Sequence, residues 1–265
     1  MSIELKGLNE QEVAKVVPGG TVLLGYRGSI AHGMYVPNTD PNSIDDKDIM
    51  GVCIKGLDVY FGLRGFEQQE VFLREWDSVV YEMRKFVRLL AKGNPNVLSL
   101  LWLEPRHYIH VEPEGAALIE ARQMFVGRHV YHSFTGYAYG QLKRMTHFAF
   151  QGYMGDKRKQ LVHKFGYDVK NAAHLIRLLR MGIEFLREGT LYVDRGVKGD
   201  APNLLEIKRG EWPIDRVKAE AEHLFKRAEQ AYDECRLPDG VDQEAVNRLL
   251  VNIISKSILE RVLGG

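Results

Sequence analysis

Apolar positions along the chain follow two regimes. In the first part they fall in short runs. Thr21 to Tyr26 (TVLLGY) is a β-branched and apolar stretch entered through Pro18-Gly19-Gly20, which predicts a strand preceded by a turn. Ile49 to Ile54 (IMGVCI) is a second such run, and from Glu70 to Tyr81 (EVFLREWDSVVY) apolar and charged residues alternate through Val71, Leu73, Glu75 and Asp77. These three runs predict strands of one mixed sheet. From Ser78 to Ala91 the spacing turns helical. Gly93-Asn94-Pro95-Asn96 then stops that helix with a glycine and a proline, and a second helix is predicted over Val97 to Trp102.

Beyond about residue 112 the period is helical throughout. Gly115 to Phe125, Ser133 to Gln151, Lys157 to Glu188, Pro213 to Cys235 and Asp242 to Leu263 predict helices, and Leu191-Tyr192-Val193 is the one strand-like interruption. The pattern predicts an α/β (α+β) fold: a short mixed sheet in residues 1–112, then an α-helical domain over 113–265, with the boundary near Glu112-Pro113 and a ligand cleft between them. No internal repeat, low-complexity tract or long polar linker separates the halves.

Composition narrows the partners. With 45% hydrophobic and 27% charged residues the chain can bury a core unaided. A net charge of +1 and a pI near 7.8 remove the bulk electrostatic case for a general nucleic-acid binder, so any polynucleotide contact is local. Cys53 and Cys235 offer neither metal-ligand spacing nor a disulfide framework, and no window approaches eighteen uninterrupted apolar residues. A cytoplasmic protein without a membrane span is expected; its oligomeric state is open.

The chemistry concentrates in Asp45-Asp46-Lys47-Asp48. On a strand, Asp46 and Asp48 point the same way, about 6 to 7 Å apart, and Lys47 points oppositely. Two carboxylates on one face repel unless a cation sits between them, and a hard divalent ion with substrate phosphates completing its octahedron is the natural occupant. Asp77 on a neighbouring strand would add a third ligand for a two-metal phosphoryl-transfer site, with Glu75 on its face as the fallback. The Gly28-Ser29 turn suits the anion: glycine lets backbone approach a phosphate, the serine hydroxyl donates to it, and a helix over Ile30-Ala31-His32-Gly33 would aim its N-terminus at it.

Gly28-Ser29, Gly33, and Asp46-x-Asp48 followed by Ile49-Met50-Gly51-Val52, with Asp77 on a later strand, resemble the nucleotidyltransferase fold shared with DNA polymerase β. GNPNVLSLLWLEP (Gly93 to Pro105) and KNAAHLIRLLRMGIEFLREGTLYVDR (Lys170 to Arg195) resemble, more narrowly, the RNA-ligase-associated, RNA-repair branch of that superfamily, over roughly residues 20 to 200. The sequence departs from minimal members in the inserted Pro37-Asn38-Thr39-Asp40-Pro41-Asn42, which leaves Asp45, and more remotely Asp40, as competing ligands. The resemblance implies transfer of a nucleoside monophosphate from an NTP to an acceptor hydroxyl with release of pyrophosphate. It implies that Asp46 and Asp48 hold both metals (Mg²⁺ or Mn²⁺), that Asp77 holds the catalytic one and helps deprotonate the acceptor, and that Ser29 and the Gly28 backbone hold the triphosphate. An RNA end is the leading acceptor.

In the helical half, Lys170, His174 and Arg177 fall at i, i+4 and i+7 on a helix that is otherwise largely apolar. Facing the cleft, Lys170 and His174 would contact the triphosphate, Tyr167 or Tyr139 would stack on a base, and Arg144 and Lys143 would join them. Lys164 and Arg158 read as solvated, and Trp76, Trp102 and Trp212 as packing residues. His107, His110, His129, His132 and His147 form no zinc-spacing pair. Three other readings stand beside the transferase: a non-catalytic nucleotide-binding or antitoxin-like module, a nucleotidyltransferase acting on a protein or small molecule, and a phosphohydrolase, which no histidine-aspartate pattern supports.

Overall fold

The computed structural model describes residues 3–37, 39–40, 43, 45–146 and 155–263. Part of the Pro37 to Asn42 insertion, and His147, lie outside the described residues. Five strands form one sheet in the order β3-β4-β2-β1-β5: β1 Thr21–Tyr26, β2 Lys47–Cys53, β3 Gln68–Leu73, β4 Trp76–Glu82 and β5 Tyr108–Val111. Only β2 and β4 run parallel; the other neighbours are antiparallel. A parallel pair needs a crossover, and the chain from Ile54 to Glu75, which contains β3, supplies it.

The stretch from Glu70 to Tyr81 is therefore a hairpin, not one strand turning helical at Ser78. It reverses at Arg74, the sole non-glycine residue with positive φ (57°) among those described, and β4 continues to Glu82 before a helix begins at Met83. Glu82 caps that helix by accepting from Lys85 N. Leu191-Tyr192-Val193 forms no strand, while the short β5 was not foreseen.

Period-two alternation sorts the strands onto two cores. Leu24, Ile49, Cys53, Trp76 and Val80 face one way, onto Leu5, Val16 and Val17 of the N-terminal segment. Leu23, Met50, Val52 and Val79 face the other way, joined by Val22 where the register of β1 is irregular, in a large cluster that runs on through the helices to Ile253.

The helices are α1 Glu10–Val16, α2 Gly28–Ala31, α3 Leu57–Tyr60, α4 Met83–Ala91, α5 Pro95–Leu101, α6 Pro113–Glu120, α7 Val130–Thr146, α8 Asp156–Phe165, α9 Val169–Glu188, α10 Arg195–Lys198, α11 Ala201–Lys208, α12 Ile214–Asp233 and α13 Gln243–Leu263. The predicted Lys157 to Glu188 helix is thus two, broken at Gly166, which adopts φ 77°, and α9 restarts on the Asp168 cap. α9 is the central helix, apolar around most of its circumference and packed by α7, α11 and α12. Among the described residues no helix is long and apolar enough to cross a membrane.

Candidate active site

The parallel register sets Asp48 of β2 directly opposite Asp77 of β4. Arg27, just past β1, donates its backbone N–H to the Asp48 carbonyl (2.9 Å), and its guanidinium lies 3.1 Å from the Asp77 carboxylate and 3.9 Å from that of Asp48. Burial pushes the Asp48 pKa up to about 6 against the opposing pull of Arg27 and Lys170, with Asp77 and Asp46 adding repulsion. Asp46, immediately before β2, is also raised, by burial first and by Asp77 and Asp45, while Lys170 counters. The three aspartates and Lys170 thus share one electrostatic neighbourhood.

Strand alternation sends Lys47 to the other side, where it pairs with Glu75 at 2.6 Å and covers the Trp76 ring. Glu75 is thereby committed away from Asp48, and as placed it does not serve as a substitute for Asp77. Asp45 is also occupied: buried, it forms an ion pair with Lys208 of α11 and accepts from Val36 N at 2.8 Å. It braces the segment leading into β2 and does not join the aspartates on the sheet.

Gly28 sits at φ +62°, and a Cβ there would lie 2.2 Å from Asp48 Oδ2. The glycine makes room for a carboxylate, a reason different from the phosphate approach read from sequence. The helix it opens is a single turn that includes Gly28 and Ser29 rather than starting after them, so little helix dipole is available. Ser29 Oγ is buried without a hydrogen-bond partner among the described residues.

These groups open onto a cavity of about 560 Å³ between the sheet edge and the helices. Gly28, Ser29 and Asp48 line its sheet side, and Lys170, His174 and Arg177 of α9 line the other, so the polar stripe of α9 does face the cleft. Arg144 of α7 joins them, as do Gly136 and Gly140, where an added Cβ would meet nothing within 4 Å. Burial, then the charges of Arg177 and Lys170, hold the His174 pKa well below its usual value, and His32 is held down in the same way by burial and Arg177.

Several assignments change. Tyr167 is 1% exposed, donates its hydroxyl to the Trp212 carbonyl at 2.6 Å and does not line the cavity; it is a packing residue, not a base platform. Tyr139 packs at a tilt against Phe225 outside the lining, while its near neighbour Tyr137 does line the cavity and receives a hydrogen bond from Asn94 Nδ2 (2.8 Å). Arg158, read as solvated, reaches the cavity and pairs with the capping Asp168 at 2.8 Å. Lys208, Asn96 and Ser99 also line it and carried no sequence signal beyond the Asn94 cap. Asp46, Asp77 and Lys143 are not among the lining groups.

The donor set suits a hard divalent cation. Asp46, Asp48 and Asp77 offer only carboxylate oxygens, and the burial and mutual repulsion that raise Asp46 and Asp48 are what a cation would reverse. Their side chains are not gathered: among the described residues no three His, Cys, Asp or Glu side chains form a metal-ligand cluster, and Arg27 holds the position beside Asp48 and Asp77.

Facing aspartates on a parallel strand pair, beside a Gly-Ser turn and within a five-stranded mixed sheet covered by helices, are the features of a nucleotidyltransferase fold of the DNA polymerase β type. More particularly, the chain belongs to the RNA repair pathway DNA polymerase beta family (RlaP), whose family model matches residues 3–252. That is a nucleotidyltransferase family, and the match extends well beyond the stretch whose motifs carried the resemblance. Comparison with curated proteins gives no match.

Proposed function

We propose that the chain transfers a nucleoside monophosphate from an NTP to an acceptor hydroxyl, with an RNA end as the acceptor. The observation that carries this reading is the register of Asp48 against Asp77 at the edge of a cavity whose opposite wall is cationic. Residues 1–112 supply the carboxylates and the Gly-Ser turn; residues 113–265 supply the basic wall. Asp46, Asp48 and Asp77 would hold Mg²⁺ or Mn²⁺, which when bound supplies charge neutralisation at the oxygens of the reacting phosphate.

The chain's own groups do the positioning. Ser29 Oγ, buried and unpaired among the described residues, donates to a phosphate oxygen; across the cavity Lys170 neutralises charge on the triphosphate and the uncharged His174 offers it a ring N–H. Asp77, half-exposed, accepts the proton of the attacking hydroxyl. That oxygen bonds to the α-phosphorus, the bond from the α-phosphorus to the bridging oxygen breaks, and pyrophosphate leaves with the electron pair. The glycine-lined face of α7 leaves room for the nucleoside.

The test is incubation of the protein with each common NTP labelled on its α-phosphate, Mg²⁺ and a pool of small RNAs, beside an Asp46→Ala/Asp48→Ala control. Label on RNA, with pyrophosphate released only by the wild type, is the expected result. Label on protein would move the acceptor and keep the chemistry. The carboxylates' ungathered state favours a second reading, a non-catalytic nucleotide-binding module, which the same experiment identifies as NTP binding without pyrophosphate.

A further inference from the structure

Arg177 is 3% exposed, lines the cavity and pairs with no carboxylate among the described residues. Among the described residues its Nη1 reaches only the sulfur of Met181, at 3.1 Å, and its Nε has no partner. The acidic groups nearby are each committed elsewhere. Arg195 takes Glu184 (2.7 Å) and Asp200 (2.8 Å), Arg180 shares Asp200, Lys208 takes Asp45, and Arg158 takes Asp168. What surrounds Arg177 is basic: Arg195, His174 and His32. An ionised guanidinium in that position is costly, and a fold keeps such a group when something outside the chain supplies the missing charge.

We propose that Arg177, with His174 one turn before it, forms a buried phosphate-binding subsite at the inner end of the cavity. A phosphate answers each observation: it carries the missing negative charge, and its oxygens accept from a planar fork of N–H donors in the two-bond geometry peculiar to arginine. A neutral base edge would satisfy the donors and leave the charge uncompensated. The site lies about 10 Å along α9 from Lys170, the cation coupled to Asp46 and Asp48, so it is not the position at the carboxylates. The phosphate belongs either to the far end of the NTP or to a phosphate-terminated acceptor. The existence of the subsite stands without the transferase reading; only the ownership of the phosphate rests on it.

The experiment is titration calorimetry on the full chain without turnover. The probes are pyrophosphate, an NTP against its NMP, and a short RNA ending in phosphate against the same RNA ending in hydroxyl. Arg177→Gln and Arg177→Lys are run beside the wild type, with melting temperatures of the ligand-free proteins. The expected result is a loss of about tenfold or more in phosphate binding for Arg177→Gln, a partial loss for Arg177→Lys, and a ligand-free melting temperature for Arg177→Gln equal to or above that of wild type. Loss of the NTP-over-NMP preference assigns the phosphate to the nucleotide; loss of the RNA end preference assigns it to the acceptor. The subsite is overturned if Arg177→Gln binds every phosphate probe as wild type does, if it alters only discrimination among bases, or if it melts earlier or fails to fold, since the guanidinium would then be a structural group. A wild type that binds these probes through Arg177 yet transfers no label would sink the transferase reading and leave the subsite standing.

Discussion

Asp48 and Asp77 are direct partners across the parallel β2–β4 pair, and one guanidinium, that of Arg27, touches both. With its pKa raised to about 6, Asp48 is held in the fold at a cost of up to about 3 kcal/mol once ionised. Asp48→Asn is therefore expected to melt at or above the wild-type temperature in the absence of divalent cations while losing at least a hundredfold in transfer. Added Mg²⁺ should raise the melting temperature of the wild type and leave the variant unmoved; equal shifts would remove Asp48 from the metal set.

Asp45 and Lys208 behave in the opposite way. Both are buried and each is the other's counter-ion, so removing one strands the other. Lys208→Met should destabilise the protein by roughly 3–5 kcal/mol, visible as a drop of about 5–15 °C in thermal melting. Asp46→Asn, at a partly exposed position with no such partner, should move it by no more than a degree or two. A Lys208→Met protein as stable as wild type would mean that the pair contributes little.

Gly28→Ala tests the close approach at the turn. The new methyl would lie 2.2 Å from Asp48 Oδ2, in a backbone conformation that costs an L-residue about 1–2 kcal/mol. Loss of transfer comparable to that of Asp48→Asn is expected, together with a lower melting temperature. Full activity would show that the carboxylate has room to retreat.

Acid should weaken the fold through His32 and His174. Their folded pKa values are depressed, so below pH 6.5 the unfolded chain takes up protons that the folded one refuses, and stability falls as pH falls, by about 1.4 kcal/mol per pH unit for each. Asp48 runs the other way, with stability rising as pH drops from about 6 towards 3.8. The difference between wild type and His174→Gln isolates one histidine: in chemical denaturation between pH 6.5 and 5, the variant's slope should be shallower by about 1.4 kcal/mol per unit. Identical slopes would refute a neutral His174.

The residues legible in the sequence were those whose partners lie close by or on a regular period. Asp46-x-Asp48 and the Lys170-His174-Arg177 stripe follow from strand and helix periods alone. The hairpin was missed because its turn, Arg74-Glu75, carries no glycine, asparagine or proline and uses Arg74 in a conformation usually left to glycine. Lys208 reaches Asp45 across 163 positions of chain, a proximity no local pattern encodes. Tyr167 misled because an aromatic beside a basic stripe looks the same whether it faces the cleft or, as here, the Trp212 carbonyl.

Arg27 gives the carboxylate pair a tethered counter-ion of its own. A divalent ion entering there competes with a charge already in place, so its affinity for the empty protein is lowered by whatever the guanidinium contributes. A triphosphate in the cavity offers Arg27 somewhere else to go. On the proposed transferase reading, cation and nucleotide would then favour each other's arrival.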